Sequence, residues 1–256
     1  MTTTTLAIAN QKGGVAKTTT VASLGAALAE LGDRVLLVDL DPQACLTFSL
    51  GIDPEDLELS IHHVLTKGLP VSEVIIETED GVDLLPATIE LARAEADLLT
   101  RTGREQALKA ALEDLGDASY DWILLDCPPS LGVLTVAALT AARGVLIPLQ
   151  CETLSHRGVG QLLDTVHDVR RFTNRSLEVW GVLPTLYDGR TNHARTVLET
   201  ISDTYDLEVV EPPIPKTIKF AEAPAAGRSI LATHRSHKGA HAYREVALNL
   251  RARRDR

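Results

Sequence analysis

The sequence predicts an α/β fold: a mostly parallel, twisted sheet of about seven or eight strands with helices on both faces. Three observations predict it. Apolar runs without alternation, such as Val35-Leu36-Leu37-Val38 and Gly144-Val145-Leu146-Ile147-Pro148-Leu149, read as strands buried on both faces. Stretches rich in Ala and Leu with helical periodicity lie between them. Several runs end in an aspartate or a loop of small residues, where open parallel sheets bind ligands.

Taken in order, Thr4 to Ala9 reads as a buried strand and Val21 to Leu31 as a helix. Between them runs Asn10-Gln11-Lys12-Gly13-Gly14-Val15-Ala16-Lys17-Thr18-Thr19-Thr20. Strand, Gly-containing loop, Lys-Thr, helix is the layout of a phosphate-binding loop, and places the chain among P-loop NTPases. Gly13 and Gly14 let the backbone curl around phosphate oxygens, and the helix N-terminus supplies unpaired N–H groups. Val15, Ala16 and Thr19 belong to the same cradle. Lys17 is expected to reach the β- and γ-phosphates of ATP or ADP, and the Thr18 hydroxyl to coordinate Mg²⁺. Against G-x-x-x-x-G-K-[ST], Gln11 and Ala16 replace the two glycines, and Lys12 adds a second lysine.

The run Val35 to Val38 leads into Asp39-Leu40-Asp41-Pro42-Gln43. Alternation puts Asp39 and Asp41 on one side of a strand end. There a carboxylate can orient the water that attacks a γ-phosphate, while Asp39 is expected to support Mg²⁺ and the loop. Ser60 to Leu65 suggests a short capped helix, and adjacent His62 and His63 are expected to point apart and hold no metal. Val82 to Leu85 is a further strand. Thr88 to Leu99, with Ile89, Leu91, Leu98 and Leu99, and Glu105 to Leu115 read as core helices. Tyr120 to Leu125 then ends in Asp126-Cys127-Pro128-Pro129-Ser130, a carboxylate at a strand tip placed to hold Mg²⁺ beside the phosphate loop. Leu131 to Ala142 is a helix, Gly144 to Leu149 a strand, Thr153 to Phe172 a helix and Leu177 to Pro184 a strand. The Pro-rich stretch 211–215 is a rigid loop before a short helix, and Gly239 to Leu250 is the last helix.

With 45% hydrophobic residues, the 256-residue chain can bury one sizeable core, and residues 1–256 read as a single domain. No apolar run approaches the roughly 18 residues of a membrane span, and no signal peptide opens the chain. Cys45, Cys127 and Cys151 show no metal spacing and read as three buried thiols in a reducing cytoplasm. Net charge is −10, yet residues 211–256 hold ten Lys/Arg against four Asp/Glu. That asymmetry permits a basic face on an acidic protein. Lys216, Lys219 and Arg228 offer several cations to a phosphate backbone, a sequence-independent and salt-sensitive contact. The terminal Arg251-Ala252-Arg253-Arg254-Asp255-Arg256 either joins them or is solvated.

The loop resembles the deviant Walker A motif, KGGxxK[ST], of the ParA/MinD family of ATPases. Asp39-Leu40-Asp41-Pro42-Gln43 is similar to that family's DxDPQ, Asp126 to Ser130 to its DxPPS, and the stretch 214–224 to IPRNxxxxEAP of chromosomal ParA proteins. The resemblance covers essentially the whole chain. It implies that Lys12 reaches across an ATP-dependent homodimer to the partner's nucleotide, that Asp41 positions water, and that Pro213 and Ile214 lie near adenine. It carries Arg190 over as a DNA phosphate contact. It implies a weak ATPase stimulated by a ParB-like centromere-binding protein, non-specific binding of double-stranded DNA, and a cytoplasmic, nucleoid-associated role in segregating chromosomes or plasmids. Because the loop starts by residue 10, the short form without an N-terminal helix-turn-helix domain is expected. A MinD-like membrane role is the alternative, but residues 239–256 lack bulky apolar anchors, so no stable membrane association is expected. A cargo-positioning relative would share the same site chemistry.

Overall fold

The structure is a computed structural model and describes residues 3–116, 120–152, 155–190 and 192–254. Thr153, Asp255 and Arg256, named above, lie outside those residues. The strands are β1 (Thr4–Ile8), β2 (Val35–Asp39), β3 (Ile76–Glu77), β4 (Asp83–Leu85), β5 (Trp122–Asp126), β6 (Gly144–Gln150) and β7 (Glu178–Thr185). They form one sheet in the order β3-β4-β2-β5-β1-β6-β7, parallel except for the edge strand β3. The α-helices are α1 (Lys17–Glu30), α2 (Cys45–Ser49), α3 (Ile61–Lys67), α4 (Leu91–Leu99), α5 (Ala107–Glu113), α6 (Val133–Ala141), α7 (Ser155–Phe172), α8 (Asn192–Tyr205), α9 (Lys219–Ala225), α10 (Ile230–Thr233) and α11 (Lys238–Arg254).

Every residue of β2 and of β5 is buried, as continuous apolar runs require when helices cover both faces. One core cluster packs α3 to α7 on one face, with Leu91, Leu108, Leu134 and Val159. The other packs α1, α9, α10 and α11, with Leu24, Phe220, Leu231 and Tyr243. The sheet thus matches the expected α/β architecture. Among the described residues no helix is long and apolar enough to cross a membrane.

Several local readings change. Helix α1 starts at Lys17, inside the loop motif, so Lys17 to Thr20 form its first turn. Helix α4 starts at Leu91, leaving Ile89 and Leu99, read as core, 68% and 57% exposed. The face carrying Leu91, Ala94 and Leu98 is the one that packs. Of the three cysteines only Cys127 is buried; Cys45 is exposed and Cys151 half-buried. His62 and His63 do not diverge: with Glu90 they bring ligand atoms within 4.8 Å of one another. However, His63 Nδ1 accepts the Ser60 N–H at 3.3 Å as part of the helix cap. The terminal arginines fold back on the protein. Arg251 pairs with Asp33, Arg253 pairs with Glu208 and stacks on Trp180, and Arg254 stacks on Trp122. Those partners lie at the N-terminal ends of the strands, away from the phosphate loop.

Candidate functional site

The site is built where β1, β2 and β5 end together. Ile8 pairs in register with Asp126, and Asp126 with Asp39, so the loop after β1 emerges beside two carboxylates. Asn10 sets the loop's course: its Nδ2 donates to Pro148 O at 2.8 Å and its Oδ1 accepts Lys12 N at 2.9 Å. Gly14 and Ala16 then take left-handed conformations with φ of 73° and 64°. A side chain at Gly14 would meet nothing within 4 Å, so the loop is open on its outer side. Val15 O accepts the Thr185 hydroxyl at 2.9 Å, tying the loop to the end of β7. The N-terminal N–H groups of α1 point into this cradle, a ready anion site.

Lys17 is buried, and its ammonium donates to Lys12 O at 3.1 Å. Burial pushes its pKa down, opposed by the charges of Asp126, Cys127 and Asp41. Lys12, at the rim, forms an ion pair with Glu152 just beyond β6. Thr18 and Thr19 are half-buried on the first turn of α1, beneath the loop.

Asp39 is fully buried. Its Oδ1 accepts Asp41 N at 3.1 Å, and its Oδ2 accepts the Thr47 N–H at 2.9 Å and the Thr47 hydroxyl at 2.8 Å. These bonds hold the turn after β2 and the start of α2. Desolvation, aided by the nearby Asp41 charge, pushes the Asp39 carboxyl up to about 6 despite them. Asp41 is half-buried, and its Oδ1 accepts Gln43 N at 3.0 Å.

Asp126 is different. It is buried, yet among the described residues neither carboxylate oxygen has a hydrogen-bond partner. Burial and then the Asp39 charge push its pKa well up; Thr18 and Lys17 pull the other way. The Thr18 hydroxyl lies near enough to favour the charged form yet outside hydrogen-bonding geometry. A buried, unpartnered carboxylate beside a second one is costly unless a cation joins them. The donor set of Thr18, Asp126 and Asp39, all oxygen, fits Mg²⁺.

The expected adenine and DNA residues are placed as follows. Ile214 is buried in the core, and its backbone pairs with the end of β7: Ile214 N donates to Pro184 O and Tyr187 N to Ile214 O. Pro213 lines an open cleft of about 570 Å³ with Tyr187, Arg190, Lys216 and Lys238. Arg190 makes a bidentate pair with Asp188, and Lys219 pairs with Glu222. Arg228 does not share this cleft. It binds Asp80 and Glu79 on the turn between β3 and β4, and the Asp80 side chain is 1% exposed. Sequence reasoning passed over Asn10, Thr47, Glu152, Thr185 and Lys238. Glu152 carried a signal, an acid at a strand tip like Asp126; Thr47 and Thr185 carried none.

A family model described as an AAA domain matches residues 3–179. The sporulation initiation inhibitor protein Soj of Bacillus subtilis is 44% identical over 96% of this chain and 98% of its own. The chromosome-partitioning ATPase Soj of Thermus thermophilus is 45% identical over 97% and 95%. A Mycobacterium smegmatis crystal structure named cobyrinic acid a,c-diamide synthase, with bound ADP and magnesium, is 57% identical over 97% and 94%, with a TM-score of 0.87.

Proposed function

The chain belongs to the Soj/ParA family of chromosome-partitioning ATPases, and from that premise we propose that it is an ATP-driven DNA-partitioning switch acting as a single domain. The observation that carries the reading is Asp126. Its two unpartnered oxygens, beside Asp39 and Lys17 and under an open phosphate loop, leave a buried charge that Mg²⁺ and nucleotide phosphates would neutralise together.

In this reading Gly13, Gly14, Val15, Ala16, Lys17, Thr18 and Thr19 wrap the phosphates of ATP. Pro213 and the backbone of Ile214 border the adenine. Thr18 and Asp126, with Asp39 behind them, would hold Mg²⁺, which would supply positive charge beside the phosphates. Lys17 adds a cation whose lowered pKa rises again as phosphate charge arrives. Lys12 leaves Glu152 and reaches the nucleotide of a second protomer, closing a homodimer. Asp41 orients water for in-line attack on the γ-phosphorus; the bond to the ADP oxygen breaks and phosphate leaves. The dimer binds double-stranded DNA non-specifically through Arg190, Lys216 and Lys219, and a ParB-like protein stimulates its release. This behaviour places it on the nucleoid. Arg228, expected on the same face, holds the β3–β4 turn in the isolated chain.

The test is binding to a random-sequence duplex with ATP, with ADP and without nucleotide, at two salt concentrations. ATP-dependent, salt-sensitive binding is expected; none under any condition refutes the DNA role. The name of the M. smegmatis structure favours a second reading, amide synthesis on cobyrinic acid driven by the same ATP site. Incubation with cobyrinic acid, ATP and an ammonia donor, followed by mass spectrometry, decides it. No diamide product is expected.

A further inference from the structure

Two imidazoles and a carboxylate meet where α3 and α4 begin. His62 and His63 lie in the first turn of α3, and Glu90 directly precedes α4. One ligand atom from each lies within 4.8 Å of the others. We propose that these three side chains form a Zn²⁺ site, separate from the oxygen donors Thr18, Asp126 and Asp39 of the nucleotide site.

The convergence has a local cause. Side chains on a helix lean toward its N-terminus. In the first turn no earlier turn stands between them, so adjacent residues can both project past the helix end. The two rings meet edge to face with centroids 5.0 Å apart. Tertiary bonds bring Glu90 to them. Ile61 N donates to Pro86 O at 2.9 Å, and the Ser60 and Thr88 hydroxyls share a hydrogen bond of 3.3 Å. Ala87 N donates to the Thr47 hydroxyl at 3.0 Å, fixing the same stretch from its other side. The backbone under all three ligands is thus held before a metal arrives.

The side chains suit the task. His62 Nδ1 is buried, and among the described residues it has no hydrogen-bond partner. A buried polar atom left in that state is costly, and a cation taking its lone pair removes the cost. His63 Nδ1 accepts the Ser60 N–H at 3.3 Å, longer than an ordinary hydrogen bond. That bond is released on loading whichever ring nitrogen ligates. If Nε2 takes the metal, the ring proton moves to Nδ1 and faces the Ser60 N–H; if Nδ1 takes it, the lone pair is used. Glu90 is exposed, so its carboxylate can swing inward. Ligand atoms around a tetrahedral Zn²⁺ stand about 3.3 Å apart, a modest contraction of the cluster. Two imidazoles, one carboxylate and a water make a familiar Zn²⁺ donor set, whereas Mg²⁺ and Ca²⁺ select oxygen alone.

The experiment titrates Zn²⁺ into the full chain, labelled with ¹⁵N at histidine, in excess Mg²⁺ and without nucleotide. Calorimetry gives the affinity, and imidazole ¹H–¹⁵N spectra identify the rings that bind. One Zn²⁺ per chain is expected, with the ring nitrogens of His62 and His63 shifting and those of the other histidines unchanged. Loss of a group that merely orients a ligand lowers metal affinity about 10–100-fold. Loss of a ligand in His62→Ala or Glu90→Gln should therefore cost at least about tenfold. His241→Ala, at an exposed histidine on α11, should match wild type. Circular dichroism checks the fold of each variant; if His62→Ala does not fold, Glu90→Gln decides alone. No Zn²⁺ uptake by wild type overturns the proposal. So does uptake that leaves the two rings unshifted, which places the metal at a thiol or at the nucleotide-site carboxylates, and so does affinity kept in either folded variant. None of these readouts uses nucleotide or DNA, so their failure leaves the partitioning reading intact.

Discussion

Replacing Ala16 with glycine is expected to stabilise the nucleotide-free protein. Ala16 sits at φ 64°, ψ 34°, immediately before α1, and its carbonyl accepts Thr20 N at 2.9 Å. A residue with a Cβ in that left-handed region carries a cost of about 1–2 kcal/mol. Glycine removes the strain, but its freer unfolded chain takes back about 0.4–1 kcal/mol. The net expectation is a gain of about 0.5–1 kcal/mol, or roughly 1–4 °C in Tm for a chain of this size. Asparagine, which tolerates the same region, should fall near or above alanine, and valine, β-branched, clearly below it. Thermal unfolding followed by circular dichroism gives the order. The reasoning predicts Gly above Ala and Val below it, because only backbone strain separates them. A glycine variant less stable than wild type, or a valine variant equal to it, would refute a left-handed Ala16. The loop's shape is already the one glycine prefers, so ADP affinity should change by less than about threefold, under 0.7 kcal/mol.

Four other outcomes follow from the site. Asp126→Asn removes a buried, unpartnered charge, so the apo protein should melt higher while Mg²⁺-dependent ATP binding weakens at least about tenfold, read by calorimetry. Glu152→Gln frees Lys12 from a half-exposed ion pair worth about 0.2–1 kcal/mol, so ATP-dependent dimerisation should tighten by up to about fivefold in sedimentation experiments. Arg228→Ala leaves the buried Asp80 carboxylate with the Ser229 N–H but without its cation; a loss of about 1–3 kcal/mol in urea unfolding is expected, with no change in the salt dependence of DNA binding. Acidification should act in opposite directions on apo stability and metal binding. The folded Asp39 carboxyl lies at about 6, above its unfolded value, so the apo fold takes up a proton and gains stability as pH falls through 6. Mg²⁺ must displace that proton, so its apparent affinity should fall up to about tenfold per unit below pH 6, measured by Mg²⁺ titration of ATP binding.

The legible parts of this chain were those whose physics is local. The apolar runs of β2, β5 and β6 read as buried strands because helices cover both faces, and loop, Asp39 and Asp126 were placed at strand ends by the same runs. What stayed hidden depends on tertiary partners. Ile89 and Leu99 fit a helical period, but α4 starts at Leu91 and turns Leu91, Ala94 and Leu98 to the core. Nothing near Thr47 announces that both its backbone and its hydroxyl bind Asp39, and nothing near Arg228 announces Asp80, which reaches it from far along the chain. Charge counting identified the basic C-terminal region but could not divide it. The terminal arginines serve the opposite end of the sheet, while Lys238 joins Arg190 and Lys216.

Left-handed backbone at non-glycine residues and the unpartnered carboxylate share one edge of the sheet. Among the described residues four non-glycines take left-handed φ: Ala16 follows β1, Ala44 follows β2 and Leu186 follows β7, all beyond the C-terminal strand ends, and Asp206 lies after a helix. The unpartnered Asp126 and the raised Asp39 lie at the same edge. Strain of about 1–3 kcal/mol at each such backbone position persists only where surrounding structure holds it. Here the holders are visible: Asn10 and Thr185 on the loop around Ala16, Asp39 and Asp41 on the turn before Ala44, and the Ile214 pairing around Leu186. Three left-handed turns and a buried, unpartnered carboxylate therefore lie along one line beyond the strand ends. A ligand that brings phosphate and divalent charge to that line is stabilised by needs the fold leaves open there, which ties nucleotide binding to the energetics of this edge.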